Sequence, residues 1–206
     1  MSPRTYELGQ RRAQIDEGRR RVIEAARGLL AEATSYTAFT VDAVAKRADV
    51  ARATVYYQFG SKIGLLEAVC DGLAEEGQIT HVAEAFTHPD PHESLRRIIA
   101  HFARFWAADR TVMRRIRALA ALDPEVQTVI AARDDRRRQM LRVLVGRVVD
   151  QPDYQLNAPP EDLVGILQTL TSFETFDSLA GPDRTPTDVV PVVIDLAQGA
   201  LPPNST

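Results

Sequence analysis

Cysteine is almost absent: Cys70 is the only one in 206 residues. No disulfide can close within the chain, so the fold has to hold by packing alone. No apolar run approaches the length that a bilayer requires. The segment from Met1 to Arg21 is polar and Arg-bearing, with none of the apolar stretch of a secretory signal. There is no Gly-rich phosphate loop and no Cys/His set at metal-ligand spacing. His88 and His92 stand four apart, but Pro89 and Pro91 between them spoil helical metal spacing. Strand-like alternation is also missing. These absences argue against a disulfide-stapled, membrane-spanning or metal-centred protein. They predict an all-α chain of a reducing cytoplasm, with no membrane partner, metal, cofactor or catalytic residue.

What is present is an ordinary globular balance, 45% hydrophobic and 26% charged. The charge is unevenly spread. Residues 1–62 carry 11 Lys and Arg against 7 Asp and Glu, a net +4, and residues 63–206 carry 14 against 21, a net −7; the whole chain is at −3. A basic end on an acidic protein suggests that only that end meets a polyanion. A run such as Arg19-Arg20-Arg21 can equally well solvate a helix face.

Helical periodicity fills most of the chain. Val22, Ala26, Leu29, Leu30 and Ala33 form one apolar face, predicting a first helix at about 17–34. Thr34, Ser35 and Thr37 break it. Thr40 is placed to cap a helix carrying Val41, Val44, Ala45 and Ala48, with Asp42 suiting its dipole. A very short helix follows at about Arg52 to Gln58, and Ser61 opens a longer one to about Glu76. Asp90, Asp109 and Asp123-Pro124 mark three further starts. Residues 152–160 read as a loop, 161–179 as one helix, and 187–201 as the last.

The stretch from Thr40 to Lys62, TVDAVAKRADVARATVYYQFGSK, joins two short helices through Asp49-Val50-Ala51. Val44, Ala45, Ala48 and Val50 can pack on Val55 and Phe59, with the first helix completing a three-helix core. That pairing fits a helix-turn-helix whose second helix enters the major groove of DNA. Small residues there, Ala51, Ala53 and Thr54, permit close approach. Arg52 can reach a guanine edge or a phosphate, Tyr56 and Tyr57 can offer hydroxyls to phosphate oxygens, and Lys62 stands at a helix start where phosphates bind.

The run Thr54-Val55-Tyr56-Tyr57-Gln58-Phe59, then Ser61-Lys62 and Leu65-Leu66, resembles the signature of the TetR family of bacterial transcriptional regulators. Phe39-Thr40, Val44-Ala45 and Ala48-Asp49-Val50 match its first half, and the close resemblance covers about residues 20–70. It implies that Thr40, Arg52, Ala53, Thr54, Tyr56, Tyr57 and Lys62 face DNA. The chain departs from the pattern at Asp49, where many members have Gly, and at Gln58, where many have His. The expected layout is a flexible basic arm over 1–16; Arg4, Arg11 and Arg12, with Arg19 just beyond it, can reach the minor groove or backbone or stay idle. A DNA-binding domain follows over 17–62, and a helical effector-binding and dimerisation domain over 63–206.

For the body, the resemblance implies a small effector and a homodimer built on the last two long helices. Leu163, Ile166, Leu167, Leu170 and Phe173 form one stripe there; Val189, Val190, Val193, Ile194 and Ala197 form another. The expected seam comprises Leu163, Leu167, Leu170, Val189, Val193 and Ile194, although both stripes can also serve the core within one chain. The densest aromatic cluster, His101, Phe102, Phe105 and Trp106, with Met113, Met140 and Phe173, is the expected lining for a hydrophobic effector or, equally, a filled core. Asp134-Asp135 and Arg136-Arg137-Arg138 read as a solvated ion-pair face. The implied activity is a repressor, released from a palindromic operator in double-stranded DNA as the helix after Lys62 moves. An architectural DNA-binding protein without a ligand, or a helical enzyme or carrier with a remnant DNA-binding head, are the alternatives.

Overall fold

The computed structural model describes residues 3–32, 38–151 and 158–201, with side chains from residue 14 onward except at residue 80. The readings made for residues 33–37 and 152–157, and for the side chains of Arg4, Arg11 and Arg12, lie outside the described residues. Among the described residues all regular structure is helical. Contacts divide the chain into two compact units, one of Met1–Gly72 with Arg114–Val129, the other of Leu73–Met113 with Ile130–Thr206. The division after Gly72 falls inside the helix Lys62–Glu76, whereas the expected boundary, residue 62, is that helix's first residue.

The first unit opens with α1 (Pro3–Glu32), which begins well before residue 17, so residues 3–16 form its opening turns. Val22, Ala26 and Leu30 are buried without exposed surface. They belong to the same core as Val44, Ala45 and Ala48 of α2 (Val41–Ala48) and Val55 and Phe59 of α3 (Arg52–Phe59). Thr40 caps α2, its hydroxyl accepting the Ala43 N–H at 3.1 Å. The helix ends at Asp49 in the left-handed conformation (φ 53°, ψ 53°). Asp49 N–H donates to Lys46 O and Val50 N–H to Ala45 O, the paired bonds of a Schellman ending. α4 (Lys62–Glu76) starts behind Ser61, whose hydroxyl accepts the Gly64 N–H at 3.0 Å.

In the second unit, a 3₁₀ turn (Ile79–His81) and the single-turn α5 (Val82–Ala85) precede α6 (Pro91–Ala108). α6 buries Leu95, Ile98, Ile99, Phe102, Ala103 and Trp106 and packs against α5, α10 and α11. α7 (Arg110–Ala120) and α8 (Pro124–Val149) run through both units, residues 114–129 belonging to the first; α7 begins at Asp109, whose carboxylate accepts the Val112 N–H, and α8 at Asp123, whose carboxylate accepts the Glu125 N–H. Arg147 of α8 donates to the carbonyls of Phe86 and His88, tying down the loop before α6.

The helix expected over 161–179 is two, α9 (Pro160–Leu170) and α10 (Phe173–Ala180). Three interactions explain the break. Ser172 caps α10 by accepting the Thr175 N–H. Trp106 Nε1–H, at 3.0 Å, and Arg137 Nη1–H, at 3.2 Å, both donate to Thr171 O, occupying a carbonyl that a continuous helix would need for itself. Gly181 then turns the chain at φ 60°, ψ −158°, a region open essentially to glycine. Arg110 holds this end by bonding Gly181 O and the carboxylate and carbonyl of Asp177. α11 (Val190–Ala200) follows a 3₁₀ turn (Pro186–Val189) and packs on α6 and α9.

Burial corrects two readings. Leu163, Leu167, Val189 and Val193 are 0–1% exposed within the single chain. These expected seam residues face the chain's own core, because the stronger apolar stripe of each helix is consumed by packing inside the unit. Arg137, read as part of a solvated face, is 7% exposed and stacks over both Phe102 and Trp106 at 5.8 Å. Asp134 lies 3.3 Å from its guanidinium and supplies the countercharge.

Candidate nucleic-acid interface

The local sequence of α3 divides its surface cleanly. Val55 and Phe59, four apart, are buried on one face, and Thr54 is half-buried beside them. Arg52, Ala53, Tyr56 and Tyr57 stand outside, with Tyr57 88% exposed. An aromatic ring left so bare in a helix of eight residues contributes nothing to the core, and its hydroxyl remains free for a polar partner. Ala53 beside it keeps the helix surface low.

Two features hold α3 in place. An added Cβ at Gly64 would lie 2.1 Å from Phe59 O. Only glycine therefore lets the first turn of α4 come this close to the end of α3, a role the sequence reading missed. In addition, Arg19 of α1 stacks over the Phe59 ring at 4.4 Å and donates to Gln58 O at 2.9 Å. Arg19, expected to belong to a basic arm, is here tied to the end of α3. Gln58 is half-buried, with its amide nitrogen against Gly18 of α1. It faces the protein interior, where its side-chain oxygen is buried without a hydrogen-bond partner, and no interaction explains the departure at this position.

The polar groups of this face converge. Arg52 donates to Asp42 Oδ2 at 3.1 Å and to the Tyr56 hydroxyl at 3.2 Å. Tyr56 first, then Asp42, raise the guanidinium pKa above its ordinary value. Lys62 Nζ lies 3.6 Å from Asp123 Oδ2 and 5.9 Å from the centre of the Phe39 ring. Thr40, Arg52, Tyr56 and Lys62 share a recess of about 520 Å³ with Phe39, Asp42 and Asp123. Thr40 is exposed, and its hydroxyl still has a proton to donate after accepting the cap bond. Of the seven expected DNA-facing residues, four line this recess; Ala53 and Tyr57 lie on the open side of α3, and Thr54 is half in the core.

Among the expected effector residues of the second unit, Phe102, Phe105, Trp106 and Phe173 come together. Trp106 meets Phe105 at 4.4 Å, Phe173 edge-on at 5.7 Å and Phe102 at 6.1 Å between ring centres. His101 instead turns to Arg104, whose guanidinium lies 2.8 Å from its Nδ1. Burial, then Arg104, pushes its pKa down, so near neutral pH the uncharged ring can accept from arginine. Met113 is buried and Met140 half-exposed.

Residues 22–69 match the family model of bacterial regulatory proteins of the tetR family. No curated protein matches the chain. Among solved structures, the fatty acid degradation regulator FadR from Bacillus halodurans is similar at a TM-score of 0.65 and 19% identity, over 91% of this chain and 97% of that one. The TetR family transcriptional regulator PfmR from Thermus thermophilus is similar at 0.61 and 24% identity, over 88% and 99%. A TetR-like transcriptional regulator from a Rhodococcus species gives 0.59 and 21%, over 90% and 97%. At these identities the likeness establishes a shared fold along nearly the whole chain. On that fold, residues 22–69 carry the helix-turn-helix of the tetR family of bacterial regulatory proteins.

Proposed function

We propose that the chain is a transcriptional regulator that binds a pseudo-palindromic DNA operator as a homodimer and is released from it by a small, apolar effector. The observation that carries the DNA reading is the division of α3: two residues buried, and Arg52, Ala53, Tyr56 and Tyr57 presented outward beside Thr40 and Lys62. The spacing suits insertion into a major groove, with Arg52 reading a base edge and the hydroxyls and Lys62 meeting phosphates.

Dimerisation rests on what α9 and α11 leave over. Ile166 is 40% exposed, Val192 40% and Leu196 49%, while Leu170 and Ile194 are half-buried. These residues replace the buried four of the expected seam, and two packed helices from each protomer can form a four-helix contact across a two-fold axis. The effector reading rests on the aromatic cluster around Trp106, which suits an apolar molecule; the Bacillus halodurans neighbour is named for fatty acid degradation. Release requires that the effector bind two states of the protein unequally.

Footprinting on fragments selected from genomic DNA by the purified protein tests the reading, repeated with candidate metabolites. Protection of a two-fold symmetric site, lost on adding one metabolite, is the expected result. Binding no tighter than to random duplex would overturn it.

A further inference from the structure

Exposed Arg52 of α3 and half-buried Lys62 at the start of α4 are both already engaged by carboxylates of their own compact unit, Arg52 by Asp42 and Lys62 by Asp123. The second pairing is unusual in how one carboxylate is divided. Asp123 Oδ1 accepts the N–H of Glu125 at 3.0 Å and, more loosely, that of Val126 at 3.4 Å, which caps α8. Its other oxygen, Oδ2, is the one beside Lys62 Nζ. A helix cap needs only an oxygen acceptor, and Asn or Ser serves as well as Asp. The negative charge is therefore surplus to the needs of α8, and it is directed at Lys62 across the recess that also holds Thr40, Arg52 and Tyr56.

Lys62 and Asp123 keep about a third of their side-chain surface, 35% and 31%. A pair this exposed is weak and exchanges readily. A phosphate arriving at Lys62 must displace the carboxylate and then lie next to it, where like charges repel over a distance shorter than the screening length. We propose that Asp123 is a built-in competitor of the DNA backbone for Lys62, a positioning residue that lowers affinity for every sequence alike without touching base readout. This rests on the DNA-binding reading above. The chemistry of the competed ligand is a phosphodiester oxygen, and the exchange is of one anion for another with no covalent step.

The test is Asp123→Asn, which keeps the capping oxygen and removes the charge, measured on a random-sequence duplex of about three helical turns across a salt series. Affinity should rise about two- to fivefold per bound protomer. The logarithm of affinity should fall more steeply with the logarithm of salt, by up to about one unit. Asp123→Ser, an equally good cap, should behave the same way, and Asp123→Glu should keep the wild-type weakness. In a Lys62→Ala background the gain should largely disappear. Unchanged or weaker binding by both Asn and Ser variants, at wild-type melting temperature, would overturn the proposal. An equal gain with and without Lys62 would also overturn it, since Asp123 would then act only through net charge. Absence of wild-type binding to duplex at any salt would be a different result: the DNA reading itself would fall, taking this proposal with it.

Discussion

α3 and α11 are short helices that use their surfaces in opposite ways. α3 gives only Val55 and Phe59 to the core and leaves polar and aromatic groups outside, Tyr57 almost bare. α11 gives Val193 and Ala197 to the core and still leaves aliphatic surface, Val192 and Leu196, in solvent. In each case the residues left over indicate the partner: hydroxyls and cations suit a polyanion, branched aliphatics suit another apolar surface. Buried residues of both helices say little about function, because any helix of a globular unit must bury a face.

The largest expected effect separates the two stripes of α11. Val193→Asp places a charge where the chain offers no exposed surface, costing about 4 kcal/mol or more and melting the unit. Leu196→Asp, at a half-exposed site, should leave the monomer's stability within about 0.5 kcal/mol, yet shift the protein from dimer to monomer. Thermal melts with sedimentation velocity at several concentrations read both. A Leu196→Asp protein that stays dimeric would move the seam away from this face.

Trp106→Ala comes next. The ring is 4% exposed, touches three other aromatic rings, and its Nε1–H satisfies the carbonyl at the α9–α10 break. As core, its removal should cost about 3–5 kcal/mol in urea denaturation. Near-normal stability with a lost effector response would instead make Trp106 a ligand-contacting wall and would sharpen the contrast between the two units.

The helix-turn-helix was legible because its constraints are local and overlapping. Thr40 and Ser61 cap helices, Val55 and Phe59 stand one turn apart, and a short polar helix between them has few alternative uses. The expected seam residues could not be told from core by periodicity, which finds the strongest apolar stripe; in α9 and α11 that stripe, Leu163, Leu167 and Val193, is taken by the intrachain core. The break at Thr171 depended on donors from Trp106 and Arg137, distant in sequence. The same tertiary contacts hid Arg137 inside what looked like a charged surface run. Gly64 was missed because its signal is a clash that exists only once α3 and α4 are placed together.

On the DNA side of the comparison, Arg52→Ala should cost about 1–3 kcal/mol on the operator and relax preference at one position per half-site, if the guanidinium leaves Asp42 for a base edge. The substitution also releases the Asp42 carboxylate, adding a loss shared by all sequences. Titrating operator and single-base variants separates the two components. A loss uniform across every variant would make Arg52 a phosphate contact, and unchanged binding would remove it from the interface.

The smallest expected effect lies at Asp49, where the chain departs from the family pattern. Its φ of 53° is the left-handed conformation of the Schellman ending, which glycine adopts at no steric cost and asparagine tolerates. Aspartate also sets a negative charge at the C-terminal end of α2, against the helix dipole. Both arguments give Asp49→Asn and Asp49→Gly the same sign: stabilisation of about 0.5 kcal/mol, the glycine gain being partly offset by greater freedom of its unfolded chain. Asp49→Val should lose about 1–2 kcal/mol, because a β-branched side chain resists this conformation. The side chain is exposed and its backbone bonds persist in all three variants, so DNA affinity should follow only the folded fraction. Chemical denaturation of the four proteins in one buffer checks the order Asn and Gly above Asp, and Asp above Val. If glycine proves less stable than aspartate, the carboxylate stabilises the turn through an interaction that outweighs backbone strain, and Asp49 is a constructive replacement for glycine in this family's turn.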